Sequence, residues 1–370
     1  MKLFKHYIYP VVTISGSIIG VGFLALPYIA VQVGLLPMLL YMALITAFVA
    51  MVHHMLAVIS LNTPDFKRWP GFIKHYFGGL AGRLIMIPMT VGLFGTMLIY
   101  LIVGSQFLTA LLSSVFGGNQ MAYALLYAVL ASMLIFLDIR AISRFAFWSL
   151  AALLFSFFLI FTRGFAHMDV GNLIINALPK GGGFKNLLLP YTAIAFSLWG
   201  TMLIPEVEEM LRPRKATFKR VVLAATLLPA LIYTVFIVMV VAITGGQTTE
   251  SALIGLARFL GPAAAFIVLF IGALTTFTAF LSEGLLLKKI FMYDLKISAR
   301  VSWAITCMVP VLLFLAGFRG FIPLVGFIGG ILLSIDGLLI TVIYQKVGGS
   351  RWVAFPLVVF FISIMILQLL

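Results

Sequence analysis

The sequence predicts an all-α polytopic membrane protein of about eleven transmembrane helices, built as a five-plus-five inverted repeat with discontinuous helices one and six. The first observation is composition: 63% of the residues are hydrophobic and 9% are charged, against roughly 45–50% apolar and about 25% charged in an average soluble domain. The second is that apolar runs of spanning length recur along the whole chain. The third is a pair of glycine-containing breaks that lie five spans apart.

Eleven segments approach the roughly 20 apolar residues that a membrane-spanning helix needs. The predicted spans are 8–32, 35–61, 83–114, 120–138, 145–162, 187–210, 220–244, 261–287, 299–316, 320–344 and 351–369. A cytoplasmic N-terminus puts 19 of the 24 Lys and Arg residues in inner segments. Because cytoplasmic loops carry an excess of cations, the pattern predicts a cytoplasmic membrane protein with its N-terminus inside and its C-terminus outside. The five remaining cations are Arg163, Lys180, Lys185, Arg258 and Arg319.

The net charge of +14 indicates lipid and not nucleic acid as the polyanionic partner. The cations occur in short clusters between apolar segments, where they would face anionic headgroups. A nucleic-acid site would instead gather them on one basic surface.

The first break lies in span one, where Ser15 to Pro27 reads SGSIIGVGFLALP. Three glycines, Gly16, Gly20 and Gly22, make a continuous helix unfavourable. In lipid every backbone N–H and C=O needs a partner, so a break survives at membrane depth only where it lines an enclosed cavity. This stretch therefore predicts a binding site; a close-packing glycine face between helices is the alternative.

The second break lies in span six, in the stretch FSLWGTMLIP at 196–205. Its Ser197-x-x-Gly200 matches Ser17-x-x-Gly20 of span one, and a proline follows each glycine within seven residues. An odd number of spans between the breaks inverts the second copy, which is the inverted-repeat pattern of secondary transporters. The predicted organisation is a first repeat at 1–162, an external loop at 163–186, a second repeat at 187–344 and an extra C-terminal span at 345–370.

Two connecting segments are predicted to form short helices. The inner segment 65–82 interleaves aromatic and basic residues, which is typical of a helix at the membrane interface. The outer segment 249–260 would lie over the external entrance.

Three segments carry a family resemblance: GSIIGVGFLALPY in span one, RWPGFIKHYFGGLAGRL in the inner loop and IPEVEEML after the second break. They resemble the amino acid/auxin and aromatic amino acid permeases of the amino acid–polyamine–organocation superfamily, over about nine tenths of the chain. The resemblance implies the five-plus-five inverted-repeat fold, secondary active transport and a central amino-acid site beside both breaks. The chain has one span beyond the repeats, whereas many relatives have two.

The breaks would bind the two ends of a zwitterion through backbone groups. A half-helix begins near Val21, and its free N–H groups and positive dipole end suit a carboxylate. Leftover carbonyls would accept hydrogen bonds from an ammonium group. The expected donors are the N–H groups of Gly20, Val21 and Gly22, and the expected acceptors are the carbonyls of Gly16, Ser17, Ile18, Ala195, Phe196 and Ser197.

Three aromatic residues are candidates for the substrate pocket. Phe196 and Trp199 stand at the second break, where they would form a gate or hold the substrate side chain. Tyr100 in span three is a comparable candidate. The alternative for each is a lipid-facing or core position, which is common in a chain with 34 Phe.

A sodium site would need oxygen ligands, which hard cations prefer. Span eight carries Thr275, Thr276 and Thr278, and in relatives this helix lies against the first break. The hydroxyls of Thr275 and Thr276 would then combine with the carbonyls of Gly16, Ile19 and Gly272, as in sodium-coupled relatives. The alternative is that each hydroxyl bonds a carbonyl of its own helix.

Proton coupling would need a titratable group within the membrane, and such residues are functional hypotheses by default. The candidates are Asp336 in span ten, Glu283 in span eight, and His53 and His54 in span two. Asp336 is predicted to lie deepest, and the other three towards the cytoplasmic ends. Span five has no lysine, so the chain does not match proton-coupled relatives that use one there.

A charge cluster at the inner end of span six has two interpretations. Glu206, Glu208 and Glu209 precede Arg212, Arg214 and Lys215. They form either a solvated set of weak ion pairs or an inner gate whose pairs break when the site opens.

The function predicted from these features is secondary active transport of an amino acid, aromatic or otherwise neutral, by alternating access. The coupling ion is H⁺ or Na⁺, with a preference for the proton, and no other cofactor is expected. The alternatives are an amino acid exchanger and a membrane nutrient receptor on the same scaffold. The sequence lacks a metal-ligand cluster, a nucleophile–base motif and a polar catalytic loop, so it does not predict an enzyme.

Overall fold

The computed structural model describes residues 4–64, 67, 69–137, 142–178 and 184–369. Within these ranges the chain is helical and contains no β-strand. The helices are α1 Tyr9–Ile18, α2 Leu26–Val33, α3 Leu35–Asn62, α4 Trp69–Phe77, α5 Gly79–Phe116, α6 Gln120–Phe136, α7 Ile142–Gly164, α8 Val170–Ile175, α9 Phe184–Leu198, α10 Ile204–Leu211, α11 Lys215–Thr244, α12 Ala252–Ala257, α13 Pro262–Lys289, α14 Ala299–Leu315, α15 Phe321–Phe327, α16 Leu333–Lys346 and α17 Arg351–Leu369.

Each predicted span coincides with one helix or with a pair of helices. Span one consists of α1 and α2, span six of α9 and α10, and span ten of α15 and α16. Six helical segments in the described part are long and apolar enough to cross a membrane, and the pair in span one makes a seventh. The chain is therefore a helical polytopic membrane protein, while the count of eleven stays a prediction.

The break in span one lies among its glycines. α1 ends at Ile18, and Ile19 has φ −76° and ψ 84°, outside the helical region. A short 3₁₀ turn, Gly22–Ala25, leads into α2, whose first turn contains Pro27. Proline is favoured there because its missing N–H has no helical partner at that position. The two halves of the span meet at 57°.

Span six breaks in the same way. α9 ends at Leu198, and Gly200 has φ −136° and ψ 33° before the 3₁₀ turn Thr201–Leu203. α10 follows, with Pro205 in its first turn. Both discontinuous helices were thus predicted from the same signal: a glycine that ends one helix and a proline that starts the next.

The contacts between spans come in pairs that are related by exchanging the first five spans for the second five. Span one packs against span seven, and span six packs against span two. Span three packs against span eight, its counterpart in the second copy. Span five packs against span eight, and span ten packs against span three. The repeat boundaries themselves stay a prediction, and the predicted loop 163–186 includes residues 179–183, which lie outside the described residues.

The two predicted connecting helices are present as α4 and α12. α4 packs along span three, and its Trp69, Phe72 and Ile73 are buried in protein. The prediction of an interfacial helix therefore needs one correction: these apolar side chains cover protein and not lipid. Residues 65, 66 and 68 of the predicted segment lie outside the described residues.

Candidate functional site

A cavity of about 160 Å³ lies where the two breaks meet. It brings together predicted residues from spans one, three, six, eight and ten. They are Ser17, Ile18, Gly20, Val21, Gly22, Tyr100, Phe196, Ser197, Trp199, Glu283 and Asp336. The cavity does not include Gly16, Ile19, His53, His54, Ala195, Gly272, Thr275 or Thr276 among its lining residues.

Several lining residues were not predicted. Trp69 reaches the cavity from α4, and Thr201 and Met202 reach it from the turn after the second break. Apolar residues of spans three and ten form much of the remaining wall; they include Pro88, Met89, Leu93, Ile328, Leu332 and Leu333. In the sequence such residues cannot be told from ordinary core residues, because each lies in a long apolar run.

The glycines of span one allow the two broken helices to touch. A Cβ at Gly22 would lie 2.6 Å from Cδ1 of Phe196 and 2.8 Å from Oγ of Ser197. A Cβ at Gly20 would lie 3.3 Å from the hydroxyl of Tyr100, a tight but smaller conflict. Gly22 therefore allows close packing, as the alternative interpretation of the glycine motif expects, and it also lines the cavity; its role in binding stays a prediction.

Two of the six carbonyls expected to accept from an ammonium group already face a donor of the protein; the binding role of all six stays a prediction. The hydroxyl of Tyr233 in span seven shares its one proton between the carbonyl of Ile18 at 3.1 Å and that of Ser197 at 3.2 Å. The carbonyl of Ile18 also accepts from the N–H of Gly20 at 2.9 Å. Tyr233 links the two breaks, and no sequence pattern around it indicates this role.

The Tyr233 ring belongs to an aromatic cluster next to the breaks. It stacks on Phe23 with 5.1 Å between ring centroids and an interplanar angle of 9°. Phe236 and Phe157 pack against Phe23 at 5.0 and 5.4 Å. Trp69 lines the cavity, so the cavity extends towards α4, whereas the rings of this cluster are not among its lining residues.

His53, which is predicted to lie towards the cytoplasmic end of span two, is fully buried in protein. Its Nδ1 lies 2.8 Å from Oγ1 of Thr226, and its Nε2 accepts from the N–H of Gly200 at 3.2 Å. The Thr226 hydroxyl donates to the Val222 carbonyl, so it accepts from Nδ1, which fixes the neutral tautomer with its proton on Nδ1. His53 thus holds the span-six break, while His54 is exposed.

Two carboxyl groups line the cavity. Asp336 accepts a 3.1 Å hydrogen bond at Oδ1 from the indole N–H of Trp69. Oε2 of Glu283 is buried and has no hydrogen-bond partner. Glu283 is thus half-buried at the cavity wall, and its position towards the cytoplasmic end of span eight stays a prediction. No Lys, Arg or His side chain is among the described residues that line the cavity.

The threonines of span eight bond to their own helix. Thr275 donates to the Ile271 carbonyl and Thr276 to the Ala273 carbonyl, both at 2.8 Å. Oγ1 of Thr276 also faces Gly104 of span three, 3.0 Å from where a Cβ would stand. The sodium site with Gly16, Ile19 and Gly272 stays a prediction, and these contacts correspond to its alternative.

The charge cluster contains a close ion pair. Nε of Arg212 lies 2.8 Å from Oε1 of Glu208, whose side chain is 2% exposed. Arg212 also donates to the Thr63 carbonyl at the end of span two. Arg212 thus connects the end of span six to span two, as the predicted inner gate would require; the gating role and the side of the membrane stay predictions.

Comparisons with known proteins agree with this architecture. The family model of the transmembrane amino acid transporter proteins matches residues 7–367. The crystal structure of MhsT in complex with L-phenylalanine is similar in fold, with a TM-score of 0.68 at 12% identity over 100% of this chain and 97% of that one. None of the curated protein sequences compared with the chain matches it. Because the family model covers nearly the whole chain and the fold agrees, the chain belongs to the family of transmembrane amino acid transporter proteins.

Proposed function

We propose that this transporter carries a neutral amino acid with an apolar or aromatic side chain across the cytoplasmic membrane by alternating access. The cavity between the two breaks carries the proposal, because broken helices that meet at an enclosed cavity are where such transporters bind substrate. Its walls are rich in apolar and aromatic side chains, including Met89, Leu332, Phe196 and Trp199. The complex of the structurally similar MhsT with L-phenylalanine supports the same class of substrate.

The start of the second half of span one is the proposed carboxylate site. No side chain caps the turn that begins at Gly22. The expected donors Gly20, Val21 and Gly22 line the cavity at this point, but the N–H of Gly20 already donates to the Ile18 carbonyl. The N–H groups of Val21 and Gly22 are therefore the proposed donors to an anion. A substrate carboxylate here would leave the side chain to face spans three and ten.

The proton is the proposed coupling ion, and Asp336 is its proposed carrier. A titratable carboxyl group in a cavity without basic side chains needs a counter-charge or a proton when the substrate leaves. Its hydrogen bond from Trp69 connects this carboxyl group to α4, which lies outside the predicted spans. A sodium ion near Thr275 and Thr276 is the competing proposal.

The test is uptake into proteoliposomes under separately imposed proton and sodium gradients. A panel of the twenty L-amino acids in a thermal-shift assay first selects the labelled substrate. Asp336→Asn is expected to abolish uptake driven by a proton gradient, whereas Glu250→Gln, an exposed acid in the loop before α12, serves as the control. A response to sodium alone would exclude proton coupling. Binding without any uptake would indicate a receptor. Uptake that occurs only when the proteoliposomes contain unlabelled amino acid would indicate an exchanger.

A further inference from the structure

We infer that Glu283 is the group that binds the α-ammonium of the transported amino acid. The inference rests on the proposed function, since it assigns one end of that substrate to one residue of the cavity. It separates the two cavity carboxyl groups by role: Glu283 contacts substrate, and Asp336 serves coupling.

Two of the six backbone acceptors expected to bind the ammonium group already face a donor of the protein. The Tyr233 hydroxyl shares its one proton between the carbonyls of Ile18 and Ser197, and the carbonyl of Ile18 also accepts from the N–H of Gly20. An ammonium group has three N–H donors, and burying them unpaired is costly. A stronger acceptor than these two carbonyls is present in the cavity wall.

Glu283 offers that acceptor. Its side chain lines the cavity, and its buried Oε2 has no partner in the protein. Asp336, the other cavity carboxyl group, already accepts from Trp69. A buried polar atom without a partner usually marks a functional position or a missing ligand, and a carboxylate oxygen is the strongest acceptor for an ammonium N–H.

The charges of the cavity lining also favour Glu283 as the ammonium site. No Lys, Arg or His side chain of the described part lines the cavity, so the protein supplies no cation for a Glu283 carboxylate. A buried charge without a partner is very unfavourable. The α-ammonium group is present on every amino acid, so its pairing with Glu283 would be required of any amino acid substrate. The apolar walls of the cavity would then select among side chains.

Glu283→Gln tests the inference because it keeps the shape and removes the charge. Binding is measured at one pH in detergent, with L-phenylalanine and L-leucine, and with 3-phenylpropanoate and 4-methylpentanoate, which lack the amine. Glu283→Gln is expected to weaken amino acid binding at least tenfold, the size of a lost charge-assisted hydrogen bond. Binding of the two amine-free acids should not weaken, because they have no ammonium group to pair and the variant removes a like charge from the cavity, and the exposed Glu250→Gln should match the native protein throughout.

A second measurement needs no variant. The native protein is expected to bind L-phenylalanine at least tenfold more tightly than L-3-phenyllactate, in which a hydroxyl replaces the ammonium group. Equal binding of these two compounds would overturn the inference. So would native affinity for amino acids in Glu283→Gln, including the case in which that variant loses only proton-driven uptake. If the native protein binds none of the twenty amino acids, the proposed function fails and the inference fails with it.

Discussion

Removal of the Tyr233 hydroxyl is the sharpest test of how the two breaks are held together. In Tyr233→Phe the ring keeps its stacking on Phe23 and its place near Phe236. In this variant the carbonyl of Ile18 still accepts a hydrogen bond from the N–H of Gly20, but the carbonyl of Ser197 loses the Tyr233 hydroxyl as its donor. A buried carbonyl left without a partner costs about 1–3 kcal/mol. We therefore expect the folded state to lose stability by about that amount.

Thermal unfolding of the purified protein in detergent measures this loss. One kcal/mol shifts Tm by about 2–4 °C in domains of 150–250 residues, so a fall of a few degrees is expected. Tyr191→Phe is the matched control: Tyr191 is also buried, but its hydroxyl makes only a 3.5 Å contact with the Ser334 hydroxyl. Equal Tm values for the two variants would refute the reasoning, because they would show that the Tyr233 hydroxyl does not link the breaks.

Three further predictions address the glycines, His53 and the topology. Gly22→Ala should reduce substrate binding and stability far more than Gly20→Ala, because only the first Cβ would come within 3.0 Å of the facing helix; similar thermal-shift responses in the two variants would contradict this. His53→Leu should destabilise the protein by about 1–3 kcal/mol through the unpaired N–H of Gly200, and His53→Gln, which can still accept a hydrogen bond, should recover part of the loss in the same melting assay. Tags at the two termini, probed in intact cells, should be accessible only at the C-terminus; a cytoplasmic Leu370 would rule out eleven spans.

The positions of both breaks could be predicted from the sequence because their causes are local. Gly20 and Gly200 release the helix, and Pro27 and Pro205 favour the start of the next one, all within a few residues. Most of the predicted substrate residues line the cavity for the same reason: residues next to a break are held next to the space that the break opens.

The side chains that contact the breaks and the cavity carboxyl group Asp336 could not be predicted, because they come from distant parts of the chain. Tyr233 lies 215 residues from Ile18, and Trp69 lies 267 residues from Asp336. A tyrosine in a long apolar helix, or a tryptophan in a basic loop, has no local pattern that indicates which carbonyl or carboxyl group it will contact. The place of Glu283 in the cavity wall has no local signal either, since sequence position along a helix does not show where a cavity reaches it.

The partners of the freed backbone groups give the two breaks different roles. In span six, His53 accepts from the N–H of Gly200 and Tyr233 donates to the carbonyl of Ser197. In span one, Tyr233 also donates to a carbonyl, but no side chain caps the turn that begins at Gly22. On the proposed function, a substrate carboxylate would supply the partner for N–H groups at the start of this turn, since buried N–H groups require partners. The span-six break is held by groups of the protein itself, so we expect substrate binding to stabilise span one more than span six.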